Sequence, residues 1–233
     1  YKKGLRNVAV AHSVTGWAAP HWPKRVADAE QWVTSLAYTP VRLQSEGMDG
    51  LLDRKKAWPR GGGGRFQFCT EALKIAPALE WLNEVDPLKE ITCMTGIRRE
   101  ESPNRAQAAE FTEESQAHGG RAMWSPLVRF VEAQRNALLR ETPFDVLPGR
   151  SKECSPCVNA TKKEIAALTD EKIEVIHTME LRAGINGKGN ARVMFSPKRH
   201  AGAVGIHQVI EWARNGTTKE LEFDACSSGY CGG

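Results

Sequence analysis

The sequence predicts an α/β fold built on a parallel sheet, followed by a small helical part that carries two close cysteine pairs. Three observations point there. Short apolar runs at residues 7–12, 40–43 and 90–97 alternate with stretches of helical spacing. The first and third of these runs lead into loops. After Pro148 the character changes, and four of the six cysteines lie beyond that point. A boundary is therefore expected near residue 148, with an α/β domain over 1–148 and a cysteine-bearing part over 149–233.

Each element has its own reason. Asn7-Val-Ala-Val-Ala-His12 is short, apolar and rich in small and β-branched residues, as a buried parallel strand should be. Ser13 to Gly16 then reads as a loop. Trp22, Val26, Ala29, Trp32, Val33 and Leu36 share one helical face. Residues 40–43 read as the next strand. Residues 47–58 read as a short helix with Met48, Leu51 and Leu52 inward. Gly61 to Gly64 is a run of glycines that holds no regular structure cheaply, so a hinge, lid or loop is expected. Thr70 caps a predicted helix that reaches Leu82. Residues 90–97 form a third strand, with Cys93 read as core. A helix is expected over 130–139, another over 161–181 and a last one over 205–214.

Composition bounds the function. The 233 residues are 41% hydrophobic and 26% charged, enough for a substantial core without cysteine staples. No run of about 18 apolar residues exists, so no membrane association is expected. The first residues lack the apolar stretch of a signal peptide. A cytoplasmic, reducing location follows as the expectation, and there paired cysteines favour metal over disulfide. The net charge of +4 suits an anionic small molecule or a nucleic acid.

The cysteine spacing is the sharpest signal. Cys154-Ser-Pro-Cys157 puts two thiols on one tight turn, and Cys226-Ser-Ser-Gly-Tyr-Cys231 is a second close pair. Together they can fill the coordination sphere of one metal centre. The four are read as ligands of a [4Fe–4S] cluster, with structural zinc as the second choice. Two unrelated thiol pairs, or disulfides, are the plain alternative.

Two further stretches carry chemistry. The loop from Gly96 to Arg105 follows a predicted strand, where ligands of parallel sheets bind. Arg98, Arg99, Ser102 and Arg105 there could hold phosphate or sulfate, since the guanidinium fork fits such oxyanions. The alternative is a solvated loop whose arginines pair with Glu100 and Glu101. Cys69 and Thr70 sit at a predicted helix start, where the dipole lowers a thiol pKa and attracts anions. Lys74 lies one turn on, on the face of Thr70. Cys69 is thus a candidate catalytic thiol, or else a small buried residue beside a cap. His12 and Ser13 close the first strand. Lys198-Arg199-His200 is a basic turn that could touch a nucleic acid.

In order and spacing, Arg65 through Pro77 (R-x-x-x-C-T-x-x-L-K-I-x-P), Gly96 through Arg105 (G-I-R-x-E-E-S-x-x-R) and Trp124-Ser-Pro-Leu127 resemble the motifs of phosphoadenosine phosphosulfate (PAPS) reductases and their relatives. The resemblance spans most of residues 7–160. It implies an adenine nucleotide alpha hydrolase-like fold that binds ATP, adenylyl sulfate or PAPS. The reaction would be sulfonucleotide reduction, with an electron donor, or ATP-dependent sulfur transfer to a nucleic acid. Carried over by position, Arg98, Arg99, Ser102 and Arg105 would meet the phosphates or sulfate, with Thr70 and Lys74 facing them and Ser13 at the strand end. The tail Cys226–Cys231 lies where reductases carry a nucleophilic cysteine in an E-C-G-x-H setting, but no histidine follows it here. Cluster-bearing members have a Cys-Cys pair where this chain has Phe68-Cys69. A mixed ligand set of Cys69, Cys154, Cys157 and one tail cysteine therefore stays open. The family's phosphate loop, S-G-G-x-D-S, would precede Asn7. Its absence leaves a second reading: a catalytically inactive [4Fe–4S] module of a larger, phage-type assembly. A zinc protein acting on nucleic acid is the third. A homo-oligomer is expected.

Overall fold

The computed structural model describes residues 4–61, 66–147 and 153–215. Most of the glycine run, the predicted boundary at 148 and both tail cysteines lie outside them. The fold is mixed α/β. Strand β1 (Ala9–Val14) runs parallel to β2 (Thr39–Gln44), paired from Ala9↔Thr39 to Val14↔Gln44. Helix α1 (Trp22–Ser35) makes the crossover between them. Helix α2 (Gly47–Lys55) follows, burying Met48, Leu51 and Leu52 as their spacing predicts.

The second sheet has the order β3 (Cys93–Met94), β5 (Arg121–Trp124), β4 (Phe111–Ser115). β3 is parallel to β5, and β4 is antiparallel to it. The third predicted strand is thus present but shrinks to two residues. The antiparallel hairpin of β4 and β5 was not anticipated, because Thr-Glu-Glu-Ser carries no apolar alternation. β1 also differs from expectation. It extends through Ser13 and Val14, and its first half is exposed rather than buried.

The helix predicted from Thr70 begins earlier. Phe68–Thr70 (α3), a π-turn at Glu71–Ile75 and α4 (Ala76–Val85) follow without a break. Thr70 therefore lies inside the helix and does not cap it. Pro77 explains the irregularity. It has no N–H to give Leu73, and the ladder shifts register ahead of it, Ala76 N–H bonding Glu71 O instead.

Helix α5 (Glu132–Leu139) lies where expected. The predicted helix over 161–181 is two: α6 (Lys162–Ala166) and α7 (Asp170–Ala183). Each has its own threonine cap. Thr161 accepts from Glu164 N and Thr169 from Lys172 N, both at 3.3 Å. Helix α8 (Ile206–Asn215) closes the described chain. One buried cluster joins Trp17, Met48, Leu51 and Trp58 to Ile165, Ile176, Phe195 and Val209, so a single core spans both sides of residue 148. Among the described residues no helix is long and apolar enough to cross a membrane.

Candidate functional site

The site is assembled by the loop after β1. Ala18 and Cys154 form an antiparallel bridge, and Ala19 N donates to Glu153 O (2.9 Å) while Ser155 N donates to Trp17 O (3.0 Å). Trp17 Nε1 also donates to Pro156 O at 2.9 Å. The Cys154–Cys157 turn is thereby laid along the end of the first strand. Asn159 anchors its far side, donating to Gln67 Oε1 at 3.1 Å, and Gln67 Nε2 reaches Thr70 Oγ1 at 3.4 Å. This network brings Cys69 to the same place, and Cys69, Cys154 and Cys157 all pack against the core.

The three thiols feel one another. Burial pushes the Cys69 thiol up to about 11, with Cys157 adding to the rise and Thr70 and Lys74 opposing it. Burial likewise pushes Cys154 up to about 12, against the pull of Lys74. The dipole argument for an acidic Cys69 thus fails, because desolvation outweighs one helix end. Asn159 N donates to Cys157 Sγ at 3.5 Å. Lys172 of α7 lies with its ammonium 3.4 Å from the Trp17 ring centroid and also feels Cys154. Two cations therefore flank the sulfurs. Among the described residues, no three His, Cys, Asp or Glu side chains are grouped so as to hold a single metal ion.

Glu153 was not anticipated, and it organises the rest. Its carboxylate accepts from Thr15 Oγ1 at 2.9 Å, lies 3.4 Å from Lys74 Nζ and stands 4.0 Å from His12 Nε2. Burial holds His12 below the ordinary imidazole value, against the pull of Glu153 and with Lys74 adding to the lowering. Ser13 Oγ reaches Lys74 O at 3.5 Å. Ser13, Thr70 and Lys74 are thus near neighbours, but Thr70 is buried while Lys74 reaches the strand end. Glu153 and His12 lie 141 positions apart in the chain, and no spacing rule links them. Only its place beside Cys154 could have drawn attention to Glu153.

The arginine loop is built differently. Arg98 and Arg105 are only 7% and 5% exposed, and Ser102 is buried with them. Arg98 pairs with Glu100 and Glu101, and Arg105 with Glu101. Arg99 donates to Ala108 O at 2.9 and 3.0 Å. The pairing weighed as the plain alternative is present, buried rather than solvated. Ser102 Oγ is buried and has no hydrogen-bond partner among the described residues. The loop leans on Ser125-Pro-Leu-Val128, through Arg99 N to Val128 O (2.9 Å), and Ser125 Oγ bonds Thr95 Oγ1 (2.9 Å).

His200, from the basic turn, is buried, its Nδ1 2.7 Å from Ser196 O and its ring between Phe195 and Trp212. It is part of the core.

No protein-family profile matches the chain. It is similar to an uncharacterized 37.8 kDa protein in the gpa 5′ region of Escherichia phage 186, at 26% identity over 210 residues. The match covers 72% of this chain, which spans 61% of the phage protein's length.

Proposed function

We propose that this chain is a PAPS-reductase-like iron–sulfur protein that holds a [4Fe–4S] cluster through Cys69, Cys154 and Cys157. Cys226 or Cys231 of the tail would supply the fourth thiolate. The observation that carries this is the meeting of Cys69 with the Cys154–Cys157 turn across more than 80 positions of sequence. Ligation takes such thiols as thiolates and releases their protons, so the raised Cys69 and Cys154 values oppose it and must be outweighed by the bonds to the metal centre. Lys74 and Lys172 offset the resulting negative charge, and the Asn159 N–H already points at Cys157 sulfur. When bound, the cluster would supply electron or sulfur chemistry. The chain's own part is to hold the sulfurs dry, to balance their charge, and to place Lys74 at the strand end.

The adenine nucleotide, ATP or PAPS, would meet the Arg98–Arg105 loop. Ser102 Oγ, buried and unpartnered, supports an anion there. Sulfonucleotide reduction or ATP-dependent sulfur transfer would follow. The pairing of Arg98 and Arg105 with Glu101 favours a second reading, because an anion must first displace that carboxylate. In it the chain is a cluster-bearing module without nucleotide chemistry.

Anaerobic purification with iron, zinc and sulfide assay tests the cofactor. Iron, sulfide and broad visible absorption are expected in the parent protein, and Cys69→Ser and Cys157→Ser should each strip them. Cys93→Ser should keep them. Zinc without iron, or full iron in Cys69→Ser, would overturn the assignment. Equilibrium binding of ATP and PAPS to the cluster-loaded protein separates the two readings.

A further inference from the structure

The carboxylate of Glu101 fills a cradle of cationic and main-chain donors. Its Oε2 accepts from Arg98 N at 3.1 Å and from the Arg105 guanidinium, and its Oε1 lies 3.1 Å from Arg98 Nη1. Two guanidiniums and a main-chain N–H serve sulfate or phosphate as well as they serve a carboxylate. Both arginines are buried, but the Glu101 side chain is 21% exposed, so the mouth of the cradle opens to solvent. Glu100 holds Arg98 Nε at 3.1 Å, and Arg98 therefore keeps a counter-charge when Glu101 leaves. The next residue, Ser102, is only 9% exposed, and its hydroxyl has no partner among the described residues. A buried bare hydroxyl in an otherwise paired turn calls for an explanation. The knot of Arg121 with Asp86 is the contrast: there Nε, Nη1 and Nη2 each meet an acceptor, and both residues are sealed from solvent.

We propose that Glu101 is an internal competitor: its carboxylate holds the Arg98–Arg105 cradle shut until a tetrahedral oxyanion displaces it. The gate presupposes the anion site proposed above for this loop, and it adds selection to that site. A free monocarboxylate brings nothing that Glu101 does not already supply, and it loses translational freedom on binding. Sulfate or a phosphoryl group brings a further oxygen, which the Ser102 hydroxyl can serve, and a second negative charge between two guanidiniums. The displaced carboxylate turns out to the solvent it already touches. The affinity seen from outside is then the intrinsic one reduced by the fraction of time the cradle stands open. Glu101 sets specificity in this way without touching a reacting atom.

Titration calorimetry of the full chain, purified anaerobically, compares the parent with Glu101→Gln, which keeps the shape and removes the charge. The probes are inorganic sulfate and pyrophosphate at constant ionic strength. Both should bind Glu101→Gln about tenfold tighter or more, which corresponds to a parent cradle open about one-tenth of the time or less. Adding Ser102→Ala should take back part of the gain, and adding Arg105→Gln all of it. Glu101→Asp keeps the charge but shortens the reach, and it should shift affinity in the same direction by a smaller factor. Sulfate should also raise the thermal midpoint of Glu101→Gln more than that of the parent, a readout that survives if the variant is destabilised. Equal anion affinity in the parent, Glu101→Gln and Glu101→Asp would overturn the proposal, as would a gain that persists in the Arg105→Gln background. ATP and PAPS, run in the same series, separate the gate from the site. A nucleotide that binds parent and Glu101→Gln equally removes the gate and leaves the site. Absence of binding by every anion and nucleotide removes both. Tighter sulfate without either nucleotide keeps the gate and removes the nucleotide.

Discussion

Arg121 is fully buried, yet it carries a charge. Its Nε donates to Asp86 Oδ2 at 2.7 Å, and Nη2 donates to the carbonyls of Leu82 and Asp86 at 2.9 and 2.6 Å. Asp86 in turn accepts from the amides of Glu90 and Ile91. This knot ties the end of α4 to β5 and sets where the β3 edge begins. Asp86→Ala would leave the guanidinium buried without its carboxylate, and the expected loss is about 3–5 kcal/mol in urea unfolding. A loss under about 1 kcal/mol would show that water replaces the pair. Nothing in the sequence marked these residues, since 35 positions separate them. That Cys154 and Cys157 share one tight turn, by contrast, was legible from spacing alone. Cys69 was legible as a candidate, but its thiol pKa was read with the wrong sign. The dipole is a property of the local helix, whereas desolvation comes from residues far along the chain.

Elements were read best where one face is apolar and the cap is local. The spacing of Met48, Leu51 and Leu52 located α2, and the helix over 206–215 fell within a residue of its predicted start. The break at Ala167–Leu168 was missed although both cap threonines are visible in the sequence. The apolar face continues across the break through Ile165, Leu168 and Ile173, and this masked it. Thr169→Ala should cost about 1 kcal/mol and lower the thermal midpoint, while Thr169→Asp should restore it. The π-turn was equally hidden. It follows from Pro77, and it carries Lys74, whose ammonium lies 3.4 Å from Glu153.

One buried cluster draws residues from both sides of the expected boundary near residue 148. Ile165 is wholly buried in the cluster that also holds Trp17 and Trp58. Ile165→Ala is therefore expected to remove about 2–5 kcal/mol from the whole chain. Tryptophan fluorescence, which samples seven tryptophans on both sides of residue 148, and far-ultraviolet circular dichroism should then shift together in urea. Separate midpoints would show two independently folding units. The alternation of strands and helices made the α/β class legible. Which strand edges stay open was not legible, because pairing is decided between segments and not within them.

Glu153 links these scales. Its carbonyl pairs with the loop after β1, its carboxylate holds Lys74 and Thr15, and its next neighbour is Cys154. A lever with so short an arm has little slack. A displacement of the Cys154 sulfur is passed through a single peptide unit to the carboxylate, and from there to the ammonium at the strand end. Lys74 thus stands where the Glu153 carboxylate and the field on the Cys154 thiol meet.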